Sequence, residues 1–189
     1  MSRNDSSRRS AKISRETRET KIDLKIDIDG SGKSKCELPD MFLKHMVETL
    51  AKYSSSDITI SASGDIEHHL VEDVAIVLGR GYRAAMGDYP VHRIASATVP
   101  MDEALVQVSV DLVDRPFVHL EIPDLMYEHF LRSFAMELRA TVHTVVIRGK
   151  DSHHIVEATF KALGLALRSA LLRSSSVMST KSGVKWRSA

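Results

Sequence analysis

Apolar residues recur along this chain with two different periods, and the switches between them divide it into elements. Between Lys12 and Asp29, Ile22, Leu24, Ile26 and Ile28 share one face with charges on the other, the alternation of a half-buried strand. Gly30-Ser31-Gly32 then reads as a turn, and Glu19 stands just before the alternating run, at the strand's start. Pro39 marks a helix start, and Met41, Phe42, His45, Met46 and Leu50 follow at helical spacing. Ile58, Ile60 and Ala62 alternate as a short strand closed by Ser63-Gly64-Asp65. A helix opening on His68-His69 runs to about Met86 and is ended by Gly87-Asp88. Alternation returns at Val106, Val108 and Val110, and at Phe117 to His119 after the turn Asp114-Arg115-Pro116. Phe130, Leu131, Phe134 and Leu138 predict a helix over 125–139, and 141–147 is a strand carrying His143. Arg148-Gly149-Lys150-Asp151 leads into a last helix that opens on His153-His154.

The order is strands, helix, strand, His-His helix, and then the same again. Sliding one His-His helix onto the other also matches Val71 with Val156, Leu78 with Leu163, Gly79 with Gly164, Arg83 with Arg168 and Ala85 with Ala170. Internal duplication is the simplest account. The expected fold is α+β, two half-domains related by a pseudo-twofold axis, each a small mixed sheet covered by two helices. The expected boundaries are a disordered leader over 1–11 (polar, Ser/Arg-rich and aperiodic), half-domains over 12–92 and 93–178, and a tail over 179–189.

Bulk properties narrow the partners. Lys and Arg number 26 against 25 Asp and Glu, so no global basic field exists to favour nucleic acid. With a single cysteine, Cys36, no intrachain disulfide can form, which fits a reducing compartment. No apolar run approaches the ~20 residues of a membrane helix, and the first residues lack the apolar stretch of a signal peptide. The expectation is a soluble cytoplasmic protein with no membrane partner.

The doubled signature carries the chemistry. His68-His69-Leu70-Val71-Glu72-Asp73 returns as His153-His154-Ile155-Val156-Glu157-Ala158. His68 and Glu72, His69 and Asp73, and His153 and Glu157 are each one helical turn apart, the spacing that lets an imidazole and a carboxylate close on one cation. The adjacent His69 and His154 point roughly 100° away, so they serve a different ion or none. With His45 and His143 added, six imidazoles and two carboxylates suffice for two ions. A nitrogen-rich, sulfur-free set suits Mn, Fe, Zn or Ni without choosing among them. Each of these residues also has a structural reading: a histidine on an apolar stripe, as His45 is, is more often a core residue, and a metal can simply join subunits. Arg93 and Arg115 flank strands, where arginines are normally solvated, but two could converge on a phosphate through their planar forks. Ser179-Thr180-Lys181-Ser182-Gly183 could hold an anion.

These residues resemble a known family, the imidazoleglycerol-phosphate dehydratases of histidine biosynthesis. The resemblance rests on Arg15-Glu16-Thr17-Arg18-Glu19-Thr20-Lys21-Ile22, Phe42-Leu43-Lys44-His45-Met46, Gly64-Asp65 with the first H-H-x-x-E, and Pro100-Met101-Asp102-Glu103-Ala104. It continues through Arg115-Pro116, Thr141-Val142-His143, the second H-H-x-x-E with Phe160-Lys161-Ala162, and Ser179-Thr180-Lys181. It implies a fold of the ribosomal protein S5 domain 2-like type. It also implies dehydration of D-erythro-1-(imidazol-4-yl)glycerol 3-phosphate through an imidazolate at a di-manganese centre, with two Mn2+ per active site. Large cage-like homo-oligomers, 24-mers, with active sites at subunit interfaces are implied as well. Residue by residue, the implied metal ligands are His45, His68, His69, Glu72, His143, His153, His154 and Glu157. Arg93, Arg115, Ser179 and Lys181 are implied to hold the substrate phosphate, and Glu19 to contact substrate and shuttle protons; Glu72 and Glu157 complete the catalytic carboxylates. On this assignment His153→Ala loses metal while His129→Ala changes little.

The chain departs from the family pattern in four places. Lys44 stands where an aspartate is usual, and Asp151-Ser152 replaces an asparagine before the second histidine pair. Ser182 interrupts the terminal S-T-K-G, and Lys35-Cys36-Glu37-Leu38-Pro39 replaces a T-G run. Other readings of the same ligands are a metal-dependent hydrolase, which has no need of the phosphate set, and an inactive assembly protein.

Overall fold

The computed structural model describes residues 8–176, so residues 1–7 of the expected leader and all of the expected tail, with Ser179 and Lys181, lie outside the described residues. The first half comprises β1 (Ser10–Glu16), β2 (Thr20–Asp27), β3 (Ser34–Glu37), α1 (Met41–Ser54), β4 (Asp57–Gly64) and α2 (Glu67–Met86). The second comprises β5 (Ile94–Met101), β6 (Ala104–Asp111), β7 (Phe117–His119), α3 (Leu125–Leu138), β8 (Thr141–Arg148) and α4 (Ser152–Ala170). The sheets have corresponding orders, β1-β2-β4-β3 and β5-β6-β8-β7. In each, only the pairing of the third and fourth strands is parallel, β3 with β4 and β7 with β8. The α+β fold and its duplication are therefore as expected.

One face of each sheet is apolar because of the alternation: Ile22, Leu24, Ile26, Ile58 and Ile60 in the first, Val106, Val108, Val110 and Val142 in the second, all buried. Each such side chain contributes about 1.5–3 kcal/mol by leaving water. The helices fill the space between the two apolar faces. α2 lies on the first sheet and packs on α3, while α4 lies on the second and packs on α1. Two matched glycines permit these crossings. A Cβ on Gly79 would sit 2.4 Å from the Phe134 carbonyl oxygen, and one on Gly164 would sit 2.6 Å from Tyr53 Cβ.

Caps set where the helices begin. Asp40 accepts from the Leu43 N–H, Asp124 from those of Met126 and Tyr127, and Asp151 from those of His153 and His154. α2 alone among the four starts without a side-chain cap, at Ile66. Ser55 and Arg139 end α1 and α3 in the same left-handed conformation.

The structure differs from the sequence reading at four places. The Lys12–Asp29 run is two antiparallel strands, parted at Thr17, whose hydroxyl accepts from the Glu19 and Thr20 N–H groups. β3 shows no alternation because it is four residues long and buries only Cys36. β5 turns Ala95, Ala97 and Val99 toward the helices, a face too small to read as apolar. Arg8 to Ala11, expected in the leader, are placed. Arg9 grips Asp29 at 2.5 Å and donates to the Leu171 carbonyl at 2.8 Å, and Ser10 and Ala11 begin β1. Burial opposes ionisation of Asp29, but the Arg9 hydrogen bonds and charge, with Arg173, outweigh it and hold its carboxyl at about 2.

Candidate metal centre

The second and third residues of α2 and of α4 are the paired histidines, so both pairs sit at helix N-termini, exposed or half-exposed. In each pair the rings diverge: His68 and His69 have centroids 6.3 Å apart at 73°, His153 and His154 6.0 Å apart at 81°. One ring of each pair turns toward the neighbouring helix of the other half, the second toward its own sheet's hairpin.

The first inward group joins α2 to α3. His68, Glu72 and His129 present one ligand atom each within 4.8 Å of one another. Glu72 Oε1 lies 3.2 Å from His129 Nε2, and Glu72 Oε2 lies 4.0 Å from His68 Nε2. The His129 nitrogen is buried and has no hydrogen-bond partner among the described residues. Leaving it so costs about 1–3 kcal/mol, and a cation between the three groups removes that cost. The donors therefore fit a divalent ion: two imidazoles, one carboxylate, no thiol.

A second inward group joins α4 to α1 at the matching helix positions, but its three ligand atoms do not converge as closely as those of the first. Both His45 Nε2, at 3.4 Å, and His153 Nε2, at 3.5 Å, face Oε2 of Glu157, which is largely buried. Glu157 Oε1 accepts an ion pair from Lys161 at 2.9 Å. Burial pushes the Glu157 carboxyl up, but Lys161 and His45 outweigh it and hold it below the usual carboxylate range.

The outward histidines are braced by carboxylates at Nδ1, and His154 Nε2 also lies 3.5 Å from Asp102 Oδ2. His69 Nδ1 lies 2.9 Å from Asp65 and 3.7 Å from Glu19. His154 Nδ1 lies 2.7 Å from Glu103, whose carboxylate also accepts from the Asp151 and Lys150 N–H groups. The Asp65 and Glu103 hydrogen bonds raise the two histidines above their ordinary value. Glu103 is held at about 2, chiefly by the Asp151 N–H and then by His154. Glu19 and Glu103 occupy corresponding hairpins, β1–β2 and β5–β6.

Two placements differ from the expected ligand set. His143 stands exposed on β8 against the rings of Phe117 at 5.6 Å and His119 at 6.1 Å, outside both groups. His129, expected to be neutral, stands in the α2–α3 group with His68 and Glu72. The reason is the duplication: His129 is the fifth residue of α3 as His45 is of α1, so the same repeat that matched the histidine pairs also pointed to His129. Asp73, one turn from His69, is buried with Arg15 and Thr20 instead.

Of the expected phosphate set, Ser179 and Lys181 lie outside the described residues, and neither Arg93 nor Arg115 stands at either group. Arg93 forks onto Asp111 at 2.6 and 2.8 Å, and its N–H donates to the Ala170 carbonyl. It lines a cleft of about 220 Å³ with Arg83, Tyr89 and Asp114, where no histidine reaches. Arg115 is exposed in the loop before β7. Asp151, one of the departures from the family pattern, is the α4 cap described above.

Fold and site together define a duplicated α+β enzyme scaffold in which the His68/Glu72/His129 group could hold a divalent ion, with a second imidazole–carboxylate group at the matching positions of the other half. A family model described as imidazoleglycerol-phosphate dehydratase matches residues 39–167. A Thermoanaerobacter pseudethanolicus relative of that name is 44% identical over 177 residues, covering 86% of this chain and 91% of the relative. One from Saccharolobus islandicus is 45% identical, with the same coverage. Among solved structures, IGPD from Pyrococcus furiosus in complex with (S)-C348 superposes with a TM-score of 0.79 at 39% identity, over 89% of this chain and 98% of that one. The Staphylococcus aureus imidazoleglycerol-phosphate dehydratase gives 0.79 at 30% identity, over 87% and 99%. The chain belongs to the imidazoleglycerol-phosphate dehydratase family. It is an enzyme, a hydro-lyase of histidine biosynthesis.

Proposed function

We propose that this protein converts D-erythro-1-(imidazol-4-yl)glycerol 3-phosphate to 3-(imidazol-4-yl)-2-oxopropyl phosphate and water, with two Mn2+ per active site. The observation that carries the metal reading is the matched pair of inward groups, His68/Glu72/His129 and His45/His153/Glu157, with the buried His129 nitrogen lacking a hydrogen bond. When bound, the metal ions act as Lewis acids on the imidazole ring and stabilise the charge that develops there. In the net reaction the hydroxyl leaves the carbon that bears the ring, a proton leaves the next carbon, and the resulting enol becomes the ketone.

The chain's own residues position and protonate. Glu19, exposed on its hairpin 3.7 Å from His69 Nδ1, stands outside both inward groups and moves the protons. Asp65 and Glu103 fix the ring orientation of His69 and His154, which offer Nε2 away from the inward groups. A second copy of the chain completes each site with these outward histidines, so the functional unit is a homo-oligomer, a 24-mer on the family pattern, in the cytoplasm. Arg115, Ser179 and Lys181 hold the phosphate; Arg93 joins them by releasing Asp111.

The test is direct. Metal-free protein given Mn2+ and imidazoleglycerol phosphate yields the acetol phosphate; no product with any of several divalent metals overturns the proposal.

A further inference from the structure

The two inward groups share their ligand atoms but not their charge. Lys161, the tenth residue of α4, puts its ammonium 2.9 Å from Glu157 Oε1. The contact is built into the fold. The Lys161 side chain is 15% exposed, its nitrogen lies 3.1 Å from Met101 Sδ, and it stands 5.9 Å from the centroid of the Tyr53 ring. The tenth residue of α2 is Ile76, so no lysine of α2 flanks Glu72 as Lys161 flanks Glu157, and among the described residues Glu72 makes ion pairs only with histidines. Both Glu72 oxygens instead face imidazoles, Oε1 toward His129 and Oε2 toward His68. The nearby cation that lines the cleft beside His68 and His129, Arg132, is turned to Glu128 at 3.6 Å.

We propose that Lys161 makes the two metal positions unequal, so that the Glu72 group fills first and tightly and the Glu157 group second and weakly. The inference rests on the reading of both groups as metal sites. Two physical effects act in the same direction. An ammonium a few ångströms from a dication repels it in a partly water-excluded site, where screening is weak. Holding Oε1 also leaves Glu157 only Oε2 to give, whereas Glu72 can offer both oxygens. A fixed positive charge at this range lowers affinity by at least about tenfold, each tenfold step corresponding to about 1.4 kcal/mol. Lys161 thereby acts as a positioning residue: it aims Glu157 Oε2 at the imidazoles of His45 and His153 at the expense of metal affinity.

The experiment titrates the metal-free full-length protein with Mn2+ and follows the electron paramagnetic resonance signal of free Mn2+. Wild-type protein is expected to show two classes of site at least about tenfold apart. Glu72→Gln removes the tight class and Glu157→Gln the weak one. Lys161→Met, which keeps the aliphatic stem, tightens the weak class by about tenfold and leaves the tight class unchanged. Lys161→Arg keeps the wild-type separation and guards against a merely structural effect. A single class in the wild type, a weak class that disappears with Glu72→Gln, or an unchanged separation in Lys161→Met overturns the inference. Two equal classes with dehydratase activity intact overturn this inference alone, and loss of both classes overturns the metal reading with it.

Discussion

The first half of the molecule and the second place their ligand atoms at the same helix positions and then surround them differently. His45 and His129 are each the fifth residue of their helix, His68 and His153 the second, Glu72 and Glu157 the sixth. Around them, α4 has the Asp151 cap and α2 has none; Glu157 has Lys161 and Glu72 has Ile76; His154 leans on Glu103 and His69 on Asp65. The difference separates two constraints. Ligand positions are fixed by backbone geometry that both halves share, whereas charge, capping and orientation are set by side chains that each half chose independently. Breaking the comparison means changing one half and asking whether the other responds alike.

The largest effects belong to the ligands. His129→Ala should remove the Mn2+ held with Glu72 and lower kcat by at least about a hundredfold, as His45→Ala should in the other group. His143→Ala, altering an exposed residue on β8, should leave metal content within twofold of wild type by elemental analysis. If His143→Ala strips the metal and His129→Ala does not, the correspondence between α1 and α3 is not a correspondence of function.

The next effect separates the two hairpins. Glu19→Gln should keep both metals and lose about 10²-fold or more in turnover, the share of a positioned general acid–base. Glu103→Gln should weaken the grip on His154 and cost roughly 10-fold in metal affinity, the effect of removing a carboxylate that orients a ligand. Equal losses of turnover at unchanged metal content would erase the distinction between them.

Stability offers a third comparison, at the helix crossings. Gly79→Ala drives a Cβ into a backbone oxygen, and Gly164→Ala drives one against Tyr53 Cβ and the Ser54 nitrogen at 3.0 Å. Neither neighbour is the far end of a flexible side chain. Each should cost about 1–3 kcal/mol, read as a lower Tm. A neutral result at one crossing would mean that the two helix pairs are not equivalently packed.

Much of this was legible in the sequence because it is periodic. The alternation of Ile22 to Ile28 and of Val106 to Val110, the helical stripes and the repeated histidine pairs announced the duplicated fold. What escaped was whatever depends on small or short elements: β3 buries one side chain, and β5 shows alanines to the core. The site was legible as far as the helix spacing reached. His68 with Glu72 and His153 with Glu157 follow from one helical turn, but their third partners come from other helices. His45 was identified through the family motif, while His129 needed the repeat to be followed into α3. His143 entered with the family motif, and β8 holds it exposed against Phe117 and His119, outside both inward groups. Charge partners such as Lys161 for Glu157 and Glu103 for His154 leave no periodic trace before folding.

A last comparison concerns two arginines. Arg9 and Arg93 each stand one residue before the first strand of their half, and each forks onto an aspartate at the far end of the second strand, Asp29 just beyond β2 and Asp111 the last residue of β6. Each segment also ties to the end of α4, Arg9 through its guanidinium to Leu171 and Arg93 through its N–H to Ala170. Asp29 titrates at about 2 in the folded chain against an ordinary 3.8. Because the folded value is depressed, its stabilising contribution is present above pH about 4 and is lost as the pH falls toward 2. After allowance for solvent screening the contribution is about 1 kcal/mol. Arg9→Met should therefore lower Tm at neutral pH and flatten its fall between pH 4 and 2. Arg93→Met distinguishes the roles: a similar loss of Tm with KM unchanged makes Arg93 a second structural clamp like Arg9, while a raised KM for the phosphorylated substrate means that its fork leaves Asp111 for the phosphate.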